Sequence, residues 1–138
     1  MIMWQCPDCK RHFVKESSNH VCKSFSEKDY LDKKPKNIIE CYEHLKSIIL
    51  SWENVIAEPN SYGLEFMGNR RFAAVIPQAG HLIIGFYLNY PIEEFPIEHC
   101  EQISRNRYSH SLKIDEIDDI DSQLINWLHE SYINIGTV

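Results

Sequence analysis

Four potential metal ligands crowd the first 22 residues of this 138-residue chain. Cys6 and Cys9 are separated by two residues, and His20 and Cys22 follow with one residue between them. Two intervening residues allow a tight turn to aim both thiolates at one point, and Pro7 presets that turn by fixing φ. Three thiolates and one imidazole are the donors of a closed tetrahedral Zn²⁺ site. The spacing therefore predicts Zn²⁺ as a structural cofactor, bound by Cys6, Cys9, His20 and Cys22.

Three other interpretations of this segment stay open. A thioredoxin-like redox pair also reads C-x-x-C, although such a pair normally follows a strand and opens a helix. A disulfide framework needs an oxidising compartment, and we recognise no signal peptide before Cys6. His12 could replace His20 as the fourth ligand. Because so short a segment buries little surface, metal binding would supply most of its folding free energy, roughly 10–16 kcal/mol in comparable peptides.

Charge is divided unevenly along the chain. Residues 1–36 hold eight Lys and Arg against five Asp and Glu, whereas residues 37–138 hold six against fifteen. The acidic main part should repel phosphate backbones, which disfavours nucleic-acid binding by the whole chain. The basic N-terminal segment could still contact phosphates through Lys10, Arg11, Lys15 and Lys23. Nucleic acid is therefore possible as a partner but not favoured.

Composition and hydropathy predict a folded protein without a membrane span. With 43% hydrophobic and 12% aromatic residues, the chain can bury a core. Its longest apolar run, residues 82–88, is too short to cross a bilayer. We expect a cytoplasmic protein with reduced thiols. We predict a zinc-binding module over 1–24, a short helix and linker over 25–36, and one domain over 37–138.

Hydrophobic periodicity predicts an α+β fold for the domain. Apolar residues recur at helical spacing over 37–53 and again over 118–133. Between them, β patterns separated by turn signals predict strands at 61–67, 70–76, 81–88 and about 106–114. Short connections favour an antiparallel meander of about four strands, covered by the two long helices in a two-layer sandwich. Before the domain, Ser24 or Ser26 is predicted to cap a short helix over 27–31.

Alternation along the strands predicts which residues face the helices. It places Ala74 and Ile76 beneath the helices, and Ala73 and Val75 on the opposite, outer face. The outer face is too apolar in its middle to be plain solvent surface. We therefore expect it to bind a ligand, a protein partner or the zinc module, and a homodimer through this face is plausible.

Arg71, Tyr87 and Arg107 are the candidate ligand-binding residues on this outer face. Arginine forms bidentate contacts with carboxylate or phosphate, so an anionic small molecule would suit them. The alternative is that Arg71 simply pairs with Glu65 across the hairpin, as a surface ion pair of little energetic consequence.

Catalytic chemistry has weak support in the sequence. His110 shares the strand parity of buried residues and is more simply explained as a buried histidine, although a bulge could turn it towards Arg107. None of the recognisable nucleophile, metalloprotease or nucleotide-binding motifs occurs. His110 with Arg107 remains a weak candidate for a small hydrolase or isomerase, and we lean towards a protein that is not an enzyme.

Several motifs together resemble one known family. The N-terminal segment reads W-x-C-P-x-C-x-R-x-F…H-x-C, residues 70–75 read RRFAAV, residues 107–110 read RYSH, and residues 124–132 read LINWLHESY. These resemble the bacterial family known as domain of unknown function 5655, in the version with an N-terminal zinc-binding segment. The resemblance implies the two-layer α+β fold and the zinc segment, and it transfers no catalytic residue.

These observations favour a zinc-containing binding or adaptor protein. Its structural zinc would stabilise the N-terminal module, and its sheet surface would bind an anionic ligand or a protein segment. Nucleic-acid binding through the basic module and a small hydrolase built on His110 are the alternatives.

Overall fold

Eight strands and three α-helices form the part of the chain that the computed structural model describes, residues 3–16 and 19–138. Two short strands come first, followed by two helices, a run of six strands and a final helix. Their bounds are β1 Trp4–Gln5, β2 His12–Phe13, α1 Lys28–Leu31, α2 Lys36–Leu50, β3 Ile56–Pro59, β4 Leu64–Met67, β5 Arg71–Pro77, β6 Leu82–Leu88, β7 His99–Ser104, β8 Arg107–Ile114 and α3 Ser122–Ser131. No helix in these ranges is both long enough and apolar enough to cross a membrane.

The main sheet has six antiparallel strands in the order β3-β4-β5-β6-β8-β7. The α+β class is confirmed, but the expectation of about four strands was wrong. The two missed strands, β3 and β7, lie at the edges of the sheet. Every residue of β7 is exposed except Cys100, which is half-buried. An edge strand with solvent on most sides does not alternate between apolar and polar residues, so hydrophobic periodicity cannot detect it. The order also departs from a meander, because β8 lies between β6 and β7.

Helices α2 and α3 supply the core residues that the periodicity predicts. Ile38, Cys41, Tyr42, Leu45 and Ile49 of α2 are buried. Both helices are shorter than the predicted ranges 37–53 and 118–133. Helix α3 begins only at Ser122, because the Asp121 side chain accepts a hydrogen bond from Leu124 N and caps it. A 3₁₀ turn, Ile117–Asp119, precedes α3, and a π-helical segment, Tyr132–Gly136, follows it.

A bulge in β5 changes which residues face the core. Phe66 pairs with Ala73 and Met67 with Arg71, so Phe72 is an extra residue opposite no partner. Beyond a bulge the alternation shifts by one residue, and every following side chain changes face. Phe72 and Ala73 are therefore both buried in the core.

The predicted faces of residues 73–76 were consequently wrong. Ala73 and Val75 pair with the core residues Phe86 and Ile84 and are buried. Ala74 and Ile76 instead pair with Gly85 and Ile83, which places them on the outer face. Arg71 lies before the extra residue, so its predicted outward position is confirmed.

The short helix α1 is anchored to α2 by polar contacts. Tyr42 Oη donates a hydrogen bond to Glu27 Oε2 at 2.5 Å, and Lys46 Nζ lies 2.7 Å from both Glu27 oxygens. The position before α1 is occupied by Glu27 without a side-chain cap, so neither Ser24 nor Ser26 caps the helix as predicted. Helix α2 starts directly after Pro35, within the segment predicted to be a linker.

Candidate metal centre and basic cleft

The ligand atoms of Cys6, Cys9, His20 and Cys22 lie within 4.8 Å of one another. Cys6 Sγ is 3.7 Å from Cys22 Sγ, while His20 Nε2 is 3.4 Å from Cys9 Sγ and 3.3 Å from Cys22 Sγ. Bond lengths of about 2.3 Å to sulfur and about 2.0 Å to nitrogen give tetrahedral edges of about 3.8 Å and about 3.5 Å. The four side chains thus have the geometry to hold a metal ion.

A two-stranded hairpin and a tight turn position the first two cysteines. Strand β1 pairs with β2, Cys6 N donates to Arg11 O, and Lys10 N donates to Cys6 O, each at 2.9 Å. Lys10 adopts a φ of 67°, the left-handed conformation that closes the turn. This short hairpin directs Cys6 and Cys9, both buried, towards the same point.

The thiols of the cluster differ in pKa because their sulfur atoms lie close enough to affect one another's charge. A hydrogen bond from the Cys9 backbone, with further help from its neighbours, lowers the pKa of Cys6 to about 6. The Cys6 side chain beside it, together with burial, raises the pKa of Cys22 to about 11. Several thiolates so close together repel one another, and a bound cation would relieve that repulsion. All five cysteines of the chain are free of disulfides.

Aromatic rings pack around His20, the histidine of the cluster. The ring of Phe13 stacks on that of His20 with 4.0 Å between centroids, and Trp4 packs against both. Arg11 places its guanidinium over Phe13 and Phe25, and its Nη2 donates to Val21 O at 2.7 Å. The hydrogen bonds of Arg11 also help to lower the pKa of Cys9 against the opposing effect of burial. Arg11 therefore supports the cluster through its contacts with Phe13, Val21 and Cys9.

His12 lies outside the cluster and joins the N-terminal segment to the main sheet. We call residues 3–16 and 19–24 the head. His12 N donates to Glu58 Oε1 at 2.9 Å, and His12 Nδ1 is 2.6 Å from Glu58 Oε2. Arg71 Nη2 donates to the carbonyl of His12. Strand β2 thus fastens the head to β3 and β5. Because His12 makes these contacts with the sheet, it does not take the place of His20 in the cluster.

The Arg71 guanidinium is shared between two carboxylates. Its Nη2 is 3.5 Å from Glu58 Oε1, and its Nε is 3.1 Å from Glu65 Oε2, an ion pair without hydrogen-bond geometry. Two nearby negative charges neutralise this arginine, so little of its charge remains for a ligand. The alternative pairing with Glu65 is therefore present, and Glu58 adds to it.

Arg107 and Tyr87 form a second pair on the outer face. The Arg107 Cζ atom lies 5.6 Å from the centroid of the Tyr87 ring, a cation–π contact. Within the part of the chain that the structure describes, Arg107 has no carboxylate within ion-pair distance, and neither has Arg70. Their charges are available to an anion.

Two adjoining clefts meet at Arg70 and Arg107. The first, of about 260 Å³, lies between the head and the sheet and is lined by Met3, Val14, residues 69–71, Tyr87 and Arg107. The second, of about 580 Å³, is lined by Arg70, Arg107, Ile135, Val138 and three asparagines, Asn89, Asn106 and Asn134. Sequence reasoning missed Arg70, because strict alternation along residues 70–76 places its side chain on the other face of the sheet from that of Arg71. Arg70 precedes β5 in the turn after Gly68-Asn69, where alternation no longer applies.

His110 lies in the core rather than in a cleft. It is 1% exposed, its ring stacks on Phe86 at 5.2 Å, and its Nε2 accepts a hydrogen bond from Ile92 N at 2.9 Å. Burial lowers its pKa, against opposing backbone contacts of Phe86 and Tyr108. An acid–base role required this ring to reach a solvent cleft, and the observed burial does not provide that access.

Comparison with known families gives the classification. The family described as "Domain of unknown function (DUF5655)" matches residues 27–134, which is most of the chain. The four residues of the metal cluster precede the matched stretch. Searches of curated proteins and of solved structures gave no match. The helices, the six-stranded sheet and both arginines of the cleft fall within the matched residues, and the chain belongs to the DUF5655 family.

Proposed function

We propose that the protein is a zinc-containing binding protein, in which a structural Zn²⁺ orders the head and the head forms one wall of an anion-binding cleft. The observation that carries the metal part is the meeting of Cys6, Cys9, His20 and Cys22 within 4.8 Å. Thiolate and imidazole ligands favour zinc over magnesium or calcium. Four protein ligands leave no open position for substrate, which favours a structural role over a catalytic one.

The binding part of the proposal concerns the cleft beside the head. Tyr87 and Arg107, predicted as ligand-binding residues, line it together with Arg71. Because Arg71 already contacts two carboxylates and the His12 carbonyl, its role is to fasten the head. Arg107 offers its charge to the ligand instead. Nucleic-acid binding by the head has less support, since Arg11 is engaged with Phe13, Phe25 and Val21.

Metal analysis of the purified protein tests the zinc site. We expect one equivalent of zinc per chain in the wild type and less than about one tenth of that in Cys9→Ser, because a hydroxyl is a poor replacement for thiolate. Cys100→Ser is the matched control, since Cys100 lies on edge strand β7 and is not part of the cluster. It should retain one equivalent.

Two results would reject the zinc site. One is wild-type protein that contains no zinc and carries a disulfide between Cys6 and Cys9, as a redox pair would. The other is equal zinc content in Cys9→Ser and Cys100→Ser, which would place the metal elsewhere.

A further inference from the structure

We propose that the ligand of the cleft is a small phosphate monoester whose phosphate lies between Arg70 and Arg107 and whose organic part is flat and partly apolar, as in a nucleoside monophosphate. This inference rests on the proposed anion-binding function and names the class of ligand. Of the predicted set Arg71, Tyr87 and Arg107, it replaces Arg71 by Arg70 as the second arginine, because Arg70 and Arg107 line both adjoining clefts.

The charge around the two arginines differs from that of the rest of the protein. The whole chain has a net charge of −6, with 20 acidic residues. Among the described residues that line the two clefts there is no Asp or Glu. Arg70 and Arg107 thus bring two positive charges to clefts whose described lining offers no carboxylate, and such a lining attracts an anion.

A phosphate monoester fits this pair better than a single carboxylate does. It carries about 1.5 to 2 negative charges near pH 7 and offers three acceptor oxygens. Two planar guanidinium groups can each make bidentate contacts with such a group. A monocarboxylate brings one charge and two oxygens, which would leave one arginine without a partner.

The remaining lining indicates what the phosphate is attached to. Met3 and Val14 of the head and the ring of Tyr87 form apolar surface in the cleft of about 260 Å³. Asn89, Asn106 and Asn134 offer amide donors and acceptors in the adjoining cleft. A flat apolar ring would suit the first surface and hydroxyl groups the second, and both are joined to phosphate in a nucleoside monophosphate.

Isothermal titration calorimetry at low salt tests the site on the zinc-loaded 138-residue chain. The probes are adenosine 5′-monophosphate, adenosine, inorganic phosphate and succinate. We expect the nucleotide to bind more tightly than either of its parts and than succinate. Arg70→Gln and Arg107→Gln should each weaken nucleotide binding by at least about tenfold, because each removes a charged contact.

The matched control is Arg105→Gln. Arg105 is exposed, lies two positions before Arg107 and does not line either cleft. It removes the same charge, so it should change nucleotide binding by less than about twofold. Equal weakening by Arg105→Gln and Arg107→Gln would show non-specific attraction and overturn the proposal.

Other outcomes separate this inference from the proposed function. If succinate binds as tightly as the nucleotide and loses affinity in Arg107→Gln, the phosphate assignment fails while the anion-binding cleft stands. If no probe binds to protein that contains one equivalent of zinc, the inference and the cleft both fail, and only the metal site remains.

Discussion

At the scale of single residues, the chemistry of a side chain depends on its neighbours more than on its type. Arg71 and Arg107 both lie on the outer face of the sheet, as alternation predicts. Arg71 contacts Glu58, Glu65 and the His12 carbonyl, whereas Arg107 contacts the Tyr87 ring. The pair with Glu65 across the hairpin was one of the two sequence-based interpretations of Arg71. The contacts with Glu58 of β3 and with the His12 carbonyl of the head depend on the fold, and alternation could not show them.

His110 should make the stability of the protein depend on pH. Burial lowers its pKa in the folded state, while an unfolded histidine titrates near pH 6.5. As the pH falls through about 6.5, the unfolded chain binds a proton that the folded protein does not, so the free energy of unfolding decreases. Well above pH 6.5 neither state is protonated, and this contribution to pH dependence disappears.

Urea unfolding between pH 5.5 and 7.5 measures this effect. In His110→Gln the amide oxygen can still accept from Ile92 N, and we expect a shallower decrease in the free energy of unfolding towards low pH. His99→Gln changes an exposed histidine on β7 and should keep the wild-type slope. An unchanged slope in His110→Gln would show that the buried ring is not the source of the pH dependence.

At the scale of secondary-structure elements, the sequence predicts what local patterns encode. The apolar stripes of α2 and α3 and the presence of the four inner strands β4, β5, β6 and β8 follow from periodicity, since one face of each element packs on the core. The β5 bulge does not, because it arises from the pairing of Met67 with Arg71 and of Phe66 with Ala73 across the hairpin. A single extra residue, Phe72, then reversed the faces of residues 73–76. Within the candidate site, the sequence shows the spacing of the cysteines. It does not show that Arg70 lines the cleft, because the position of Arg70 depends on where the turn before β5 ends.

The turn between β3 and β4 offers a test of element packing. Asn60 Oδ1 accepts hydrogen bonds from Tyr62 N and Gly63 N, at 3.0 and 2.9 Å. A Cβ on Gly63 would lie 2.4 Å from the carbonyl oxygen of Val75, which is backbone and cannot rotate away. Gly63→Ala should therefore lower the free energy of unfolding by about 1–3 kcal/mol through overpacking.

Gly80 is the control for this substitution. A Cβ at Gly80 meets nothing within 4 Å, and its φ is not positive. Gly80→Ala should leave the free energy of unfolding unchanged or raise it by up to about 1 kcal/mol, because alanine restricts the unfolded chain. Thermal unfolding compares the two variants, and equal stability of both would refute the close approach of Gly63 to β5.

At the scale of the whole molecule, the head and the sheet form one connected structure. The head reaches the sheet through His12, which contacts Glu58 of β3 and the guanidinium of Arg71 in β5. Both His12 and Phe13 belong to β2, the strand that follows the cysteine turn, and Phe13 stacks on His20 of the cysteine–histidine cluster. Metal binding at one end of β2 and docking at the other should therefore stabilise each other. We therefore expect the two units on either side of the boundary predicted near residue 24 to fold together.

This coupling can be measured with Glu58→Ala in the presence and absence of metal. In zinc-loaded protein the substitution leaves the His12 N–H without its acceptor and leaves Arg71 with Glu65 alone, so we expect it to lower the free energy of unfolding by about 1–3 kcal/mol. After chelation the head is no longer ordered for docking, and the same substitution should cost markedly less. Glu98→Ala breaks a surface pair with Lys113, 3.8 Å long, and should cost less than about 1 kcal/mol in both states. An equal cost of Glu58→Ala with and without metal would mean that the head docks without a metal, and this wall of the cleft would then form independently of zinc.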